Sequence, residues 1–277
     1  MPQDIKKNCW VLEVRMRRIL ILITLLIVSL CGYFFYQDHL NTKVSDQKVF
    51  DKVMTEKMET LYVQAKNWKK PITLNVEDDR LDGDYKIMSE FILTYWVDNI
   101  EARNSYLRQL DGAEWDQFLN IARLDKDRQQ AYQQTKSMLS TVRKATTEFQ
   151  AKNKAITEKA ITDVESLEVN KKLKQSMSDK LKLTRDSSNE LALLHIELEI
   201  MKRAEEMFEM LKSKKWIKKD DQILFEQDED VRKFNVLYAE VNEFQTQIEE
   251  LKKQNASVFE SEEDHSVEPA SVAQATS

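Results

Sequence analysis

The chain has 277 residues, with 42 Lys and Arg against 48 Asp and Glu, and a net charge of −6. This charge is mild and mixed, and basic patches with interleaved aromatic residues are missing, which argues against nucleic-acid binding. The two cysteines are Cys9 and Cys31, so the chain beyond residue 31 can form no disulfide and supplies no thiolate nucleophile or zinc ligand.

The first predicted element is an apolar run from residue 19 to residue 36 that contains no charged side chain. Its 18 residues are just long enough to cross a hydrocarbon core of about 30 Å. Residues 1–18 carry five Lys or Arg and two acidic residues, a net charge of +3, so the positive-inside rule places them in the cytoplasm. Met16 could be the true start without changing this orientation.

The apolar run is predicted to stay in place as a signal anchor. Ser29 and Cys31 are its best small pair for cleavage, but four bulky aromatic residues follow them. A lipoprotein signal needs a small residue before the modified cysteine, and this chain has Leu30 there. The aromatic cluster is typical of an interfacial belt, and lipidation of Cys31 stays open as an alternative.

The part beyond the anchor, residues 37–253, is predicted to be an all-α, elongated helical bundle outside the cytoplasm. No Gly or Pro lies between Ala113 and Glu268, where good helix formers are abundant. The last residues, 254–277, have a net charge of −5 and almost no large apolar side chains. This acidic tail is predicted to be disordered because it cannot bury enough apolar surface to fold.

Several elements of the first half can be predicted from spacing and punctuation. A helix follows Ser45 and ends before Pro71, because apolar residues recur at helical spacing. Apolar residues alternate over 72–76, which predicts a short strand. Asp84 is predicted to cap a helix over residues 85–110, closed by a turn at Asp111 and Gly112.

A very long helical stretch is predicted after Glu114, with slips in its apolar rhythm near Asn170 and Ser188. Ser188 can cap a new helix. Short apolar stretches on either side of Asp220 and Asp221 predict a small β-hairpin near 215–226.

Asp228 is predicted to cap the last helix, whose apolar residues alternate steps of three and four as in a coiled-coil seam. The preferred partner of this seam is the helix over residues 191–211, folded back through the hairpin, because short connections favour antiparallel neighbours. The same helix in a second copy is the alternative. The seam consists of Phe234, Leu237, Val241, Phe244, Ile248 and Leu251.

No motif predicts catalysis or a cofactor. G-x-S-x-G, the P-loop, H-E-x-x-H and G-x-G-x-x-G are all missing. His195 and Glu199 share a helix face at i and i+4, but a structural metal site needs about four ligands, and a solvated or packed histidine is the simpler interpretation. We therefore predict neither a bound metal nor an enzyme.

The loop that begins at Asp78 comes near to a calcium-binding loop. Asp78, Asp82 and Gly83 match its acidic and glycine positions, but Arg80 stands where a third ligand is needed and Ser89 where the bidentate glutamate belongs. An arginine inside the cage would repel the ion, and helix capping together with a turn explains the acidic residues more simply.

One resemblance is carried by "WIKKDDQILFEQDEDVRKFNVL", residues 216–237, and by the order of hydrophobic signal, helical body and terminal helix. In this layout the chain resembles an uncharacterised family of Gram-negative envelope proteins, many of them lipoproteins, over most of residues 45–253. Leu30 before Cys31 departs from the lipoprotein pattern. The family has no known activity or site residues, so the resemblance implies only fold and an envelope location. Together with the orientation of the anchor, it predicts a single-pass protein of the inner membrane with a periplasmic body.

These features predict a structural or interaction module of the bacterial cell envelope. It would contact the lipid bilayer through residues 19–36 and a protein partner, or a second copy, through its helical seams. The alternative is a periplasmic sensor or ligand-binding bundle, which a polar cavity lined by Tyr95, Trp96 or Tyr106 would favour. An enzyme acting on envelope polymers ranks third and would need a surface cleft with converging carboxylates.

Overall fold

The computed structural model describes residues 44–263, apart from residues 187 and 221. Side chains are described between residues 46 and 250, except at 184, 186–194 and 221. Within these ranges no helix is both long and apolar enough to span a bilayer.

Three predicted segments fall partly or wholly outside the described residues. The cytoplasmic segment 1–18 and the anchor 19–36 lie before the first of them, and the last fourteen residues of the acidic tail lie after Glu263. These assignments therefore stay predictions.

The described part of the chain contains seven α-helices, one short 3-10 helix (Trp115–Gln117) and one antiparallel β-hairpin, which confirms the predicted helical class and the hairpin near 215–226. The helices are α1 (Val44–Lys66), α2 (Gly83–Gly112), α3 (Ile121–Gln129), α4 (Gln133–Ser166), α5 (Lys171–Asp186), α6 (Ser188–Ser213) and α7 (Asp228–Glu263). The hairpin strands are β1 (Trp216–Lys219) and β2 (Gln222–Phe225), with Trp216 opposite Phe225.

Helix α4 is shared by two apolar cores. Its 34 residues give it a length of about 51 Å at about 1.5 Å per residue. The proximal core contains Ala160 and Val164 of α4 with side chains of α1, α2 and α5. The distal core contains Met138 and Val142 of α4 with side chains of α3, α6, α7 and the hairpin. Because Phe50 of α1 belongs to the proximal core, the N-terminal end of α1 and the hairpin lie near opposite ends of α4.

Helix α7 packs antiparallel along α6, the intramolecular partner that the sequence favours. Lys214 pairs with Asp230 at 3.1 Å, and Arg203 pairs with Glu240. Residue numbers therefore increase along α7 as they decrease along α6, which is the antiparallel arrangement. The backbone of α7 is helical to Glu263. The predicted boundary between body and tail at residue 254 is therefore not the end of the helix.

The segment over residues 72–76 is not a strand, which corrects the prediction. Its apolar side chains do alternate toward the proximal core, but α1 and α2 flank it, and its backbone is bound by their side chains. Gln64 and Glu101 accept its N–H groups at 2.7 and 3.1 Å. Lys57 donates to two carbonyl groups of this loop at 2.9 Å each. Side chains thus replace a partner strand.

Asp84 does not cap α2, since the helix begins one residue earlier at Gly83. Its carboxylate instead accepts the backbone N–H of Asn170 at 3.0 Å. The side chain therefore ties the start of α2 to the connection between α4 and α5. The predicted slips at Asn170 and Ser188 match the structure, because α5 begins at Lys171 and α6 at Ser188.

The very long helix predicted after Glu114 is broken into α3 and α4. The break lies at Ala131 and Tyr132, whose φ angles of 55° and 57° are in the left-handed region. Such a conformation costs a non-glycine residue about 1 kcal/mol or more, so tertiary contacts must maintain it. No Gly or Pro marks this corner in the sequence, which is why apolar spacing alone misses it.

Candidate interaction site

The acidic loop that approaches a calcium motif is held by cations of the protein itself. Arg80 donates to Asp78 at 2.8 and 2.9 Å and to Glu56 at 2.7 Å, and Lys57 lies 3.6 Å from Asp78. The hydrogen bond from Arg80 is the main reason that the pKa of Asp78 lies well below its ordinary value. The carboxylate thus links this loop to α1.

The possible metal-binding pair of His195 and Glu199 is also explained by the structure. Among the residues that the structure describes, no group of three His, Cys, Asp or Glu side chains is arranged to hold a metal. His195 is exposed, and Glu199 lies 3.7 Å from Arg203. Arg203 also contacts Glu206 at 3.2 Å and pairs with Glu240 of α7. Glu199 therefore belongs to an ion-pair network between α6 and α7.

The three aromatic residues named for the ligand-binding alternative lie in two clusters. Trp96 is 3 % exposed in the proximal core, whereas Tyr106 is 4 % exposed in a separate small cluster. Tyr95 is half-buried. Tyr95 packs against the proximal core that contains Trp96, and Tyr106 belongs to the other cluster.

Tyr106 instead joins three helices. Its ring stacks on Phe149 of α4 at 4.9 Å between centroids, and its hydroxyl lies 3.4 Å from Thr146 Oγ1. Burial, together with the nearby carboxylate of Glu197 on α6, raises the pKa of Tyr106 well above its ordinary value. The hydroxyl therefore stays protonated at neutral pH and serves as a hydrogen-bonding contact.

An open groove of about 530 Å³ lies between α6 and α7 near the hairpin. Its apolar surface comes from Met210, Leu237 and Val236, and Val236 is 56 % exposed. The sequence pattern assigns Val236 to the solvent side because it falls between seam positions. The one sequence signal for an additional apolar surface on α7 is that Val236 stands next to the seam residue Leu237.

The rim of this groove, which we call the α6–α7 groove, carries both signs of charge. Arg232 and Lys233 each lie 3.6 Å from Glu229, and Glu206 stands on the opposite helix. An exposed apolar surface with a mixed charged rim suits an amphipathic helix or an apolar anchor of a protein partner. Its lining contains no Ser, Thr, Cys or His side chain.

The hairpin beside the groove is fixed by a buried hydrogen-bonded cluster. Trp216 Nε1 donates to Tyr132 Oη at 2.9 Å and to the Leu211 carbonyl at 3.0 Å, and Tyr132 donates to the same carbonyl at 2.7 Å. The guanidinium of Arg128 lies 4.3 Å from the centre of the Trp216 ring and donates to the Trp216 carbonyl. These contacts attach the hairpin firmly to the corner between α3 and α4.

No family model, curated protein or solved structure matches this chain. The resemblance to Gram-negative envelope proteins, carried by residues 216–237 and by the layout of the chain, therefore stays a prediction. Function has to be inferred from the residues and their geometry.

Proposed function

We propose that the protein is a membrane-anchored helical interaction or structural module of the bacterial cell envelope, with its N-terminus in the cytoplasm and its body in the periplasm. The uncharged run over residues 19–36 is the observation that supports the anchor. Helix α1 begins at Val44, so only seven residues separate it from the end of this run. Seven extended residues span at most about 25 Å. The anchor therefore holds the proximal core close to the bilayer.

The position of the α6–α7 groove supports the same proposal. The groove adjoins the distal core, and the step of 18 residues along α4 from Val142 to Ala160 separates the two cores by about 27 Å. A helical body of this kind presents a docking surface away from the membrane that anchors it.

The ligand-binding alternative lacks such support. It needs a polar cavity near Tyr95, Trp96 or Tyr106, and these side chains are packed in different clusters or only half-buried. The interaction module is therefore the function that the geometry favours.

Two arginines in the apolar run are expected to release the protein from the membrane. Each arginine near the centre of a membrane helix costs about 2.5 to 3.5 kcal/mol, so Leu22→Arg with Leu26→Arg should abolish stable insertion. Leu22→Ala with Leu26→Ala is the matched control and should remain in the membrane fraction. Carbonate extraction of cell membranes measures the difference. Retention of the double-arginine protein would contradict the predicted anchor.

A photoreactive amino acid at Val236 of the full chain in living cells is expected to capture a second envelope protein. Asn235 is the matched control, because it is also exposed but lies about 100° away around the helix, outside the groove lining. Mass spectrometry identifies the captured protein.

The distribution of captured proteins decides between the hypotheses. Capture at Val236 but not at Asn235 would support a docking role for the groove. Capture only of the protein itself would indicate a homo-oligomer. Capture of nothing at either position would contradict the interaction module and favour the ligand-binding bundle.

A further inference from the structure

Helix α5 carries the highest positive charge of the described helices. Its 16 residues include six basic and two acidic side chains, a net charge of +4. Helix α1, which shares the proximal core with it, has four basic and four acidic side chains and therefore no net charge. The positive charge of this part of the bundle is thus concentrated on α5.

The start of α5 lies at the end of the bundle where α1 begins. Asp84, near the start of α2, accepts the backbone N–H of Asn170, directly before α5, at 3.0 Å. The ring of the next residue, Tyr85, lies 5.1 Å from that of Phe50 in the second turn of α1. Since the seven residues before α1 span at most about 25 Å, the predicted anchor holds the start of α5 close to the bilayer.

One side of α5 is buried, and the opposite side faces solvent. Met177 and Leu181 belong to the proximal core. Lys172 and Leu183 stand eleven residues apart, which is about three turns, and both lie about 160–180° from Leu181 around the helix. Lys172 is exposed, and Leu183 is 67 % exposed. The solvent side of α5 therefore combines positive charge with an uncovered leucine.

Three lysines belong to the solvent side of α5. Lys171 and Lys172 are exposed, and Lys182 is half-buried. None of the three forms an ion pair with another residue that the structure describes. Asp179 lies on the same side and accepts a hydrogen bond from Gln175 at 2.8 Å. The lysines outnumber this carboxylate, so the surface attracts anions.

An anionic phospholipid surface matches this side of α5. Each lysine near such a surface contributes about 1 kcal/mol, and an exposed leucine enters the boundary between headgroups and acyl chains. Helix α5 is about 24 Å long, so the seven connecting residues let the bundle lie with all of α5 on the bilayer. An acidic protein would meet the same charges, but the anchor keeps the bilayer at a high effective concentration beside α5.

We propose that α5 docks on anionic headgroups of the bilayer that anchors the protein. Lys171, Lys172 and Lys182 contact phosphate groups, and Leu183 enters the interface. The docked helix fixes the orientation of the bundle on the membrane. This inference rests on the anchor in the proposed function, and it concerns a different surface from the α6–α7 groove.

The full chain in lipid nanodiscs tests the proposal with a polarity-sensitive fluorophore. Cys9→Ser and Cys31→Ser remove both native thiols, and Leu183→Cys carries the label. We expect its emission to rise at least about twofold when phosphatidylglycerol is added to phosphatidylcholine, because the label leaves water for an apolar boundary. Ile217→Cys on the distal hairpin is the matched control. Ile217 is 61 % exposed, and its label should not respond.

Charge reversal shows whether the lysines cause the response. The triple variant Lys171→Glu, Lys172→Glu and Lys182→Glu should lose the response to phosphatidylglycerol. Nanodiscs that contain a cationic lipid should restore the response in this variant, which a misfolded variant would not show. A triple variant that still responds to phosphatidylglycerol, or that does not respond to the cationic lipid, would overturn the electrostatic docking.

Co-elution of the chain with the nanodisc separates this inference from the anchor. A chain that does not co-elute would overturn the anchor and the docking of α5 together. Co-elution with equal emission in both lipids, or with an equal response from Ile217→Cys, would overturn the docking alone. If the label at Leu183 ignores the lipid but a photoreactive group there captures an acidic envelope protein in cells, α5 binds a protein and not the bilayer.

Discussion

Replacing Asp127 with alanine is expected to lower the free energy of unfolding by about 3 to 5 kcal/mol, because the change leaves several hydrogen-bond donors without their acceptor. The Asp127 side chain is only 2 % exposed. It accepts the N–H groups of Gln134 and Thr135 at 2.9 and 2.7 Å and the Thr135 hydroxyl at 2.6 Å. Arg123 lies 3.7 Å away. These are the first N–H groups of α4, which have no partner within the helix.

Asp127 also stabilises the left-handed corner between α3 and α4. Its backbone carbonyl accepts the N–H of Tyr132 at 2.8 Å, while its side chain binds the first turn of α4. Loss of the carboxylate leaves the backbone hydrogen bond to Tyr132 in place but removes the side-chain partners from the start of the helix that carries the two cores. Urea unfolding followed by circular dichroism measures the effect.

Asp125→Ala is the matched control for this prediction. Asp125 lies on the same short helix and pairs with Arg128 at 2.7 Å, but its side chain is 32 % exposed. Exposed ion pairs contribute about 1 kcal/mol or less. A loss of equal size in both variants would contradict a special role for the Asp127 carboxylate.

The pH dependence of the Asp127 contribution follows from its environment. Burial is the largest single influence and raises the pKa, but hydrogen bonds from Thr135 and Gln134, with the charge of Arg123, outweigh it, so the pKa of Asp127 lies below its ordinary value. A carboxyl group with a lowered folded-state pKa stabilises the protein above its unfolded pKa of about 3.9. The stability gap between wild type and Asp127→Asn should therefore narrow as the pH falls below about 4.

Replacing Trp216 with alanine is expected to lower the free energy of unfolding by about 3 to 5 kcal/mol, because removal of a buried aromatic side chain leaves a cavity. Trp216 is 4 % exposed, and its indole N–H bonds to Tyr132 and to the Leu211 carbonyl. The variant also removes the ring on which Arg128 stacks. We expect the hairpin to detach from the α3–α4 corner, which hydrogen exchange of the β1 and β2 amides would report.

Ile217→Ala is the matched control for the hairpin. Ile217 follows Trp216 on the same strand but is 61 % exposed, so its truncation should change the unfolding free energy by about 0.5 kcal/mol or less. If Trp216→Ala is as mild as Ile217→Ala, the buried cluster does not hold the hairpin.

The corner at Ala131 and Tyr132 shows where sequence patterns stop being informative. Helix formers continue through it and no Gly or Pro interrupts them, so local preferences predict one long helix. The left-handed residues are kept in place by contacts remote in sequence, such as that between the Tyr132 hydroxyl and the Leu211 carbonyl. A pattern of apolar residues contains no information about such a bond.

Arg103 of α2 is a second feature that sequence patterns do not predict. A charged residue in a helix is normally predicted to face solvent, yet Arg103 is 1 % exposed and donates to the Ala65 carbonyl at 3.1 Å and to Asn104 Oδ1 at 2.9 Å. Burial lowers the pKa of Arg103 to about 10, so the side chain stays charged at neutral pH. It fixes the end of α1 against α2, a role that depends on which carbonyl groups the fold brings near.

The sequence by itself determined the helical class, the hairpin near residues 215–226, and the end of α4 and the start of α5 near Asn170, and it favoured α6 over a second copy as the partner of the α7 seam. These features depend on residues close together in the chain, where periodicity and breakers act directly. Only the tertiary structure decided that residues 72–76 lie extended without a partner strand, that Asp127 caps α4 and that Val236 faces an open groove. Each of these depends on which surfaces meet after the helices pack, because a backbone or side-chain group takes its partner from whatever the fold places beside it.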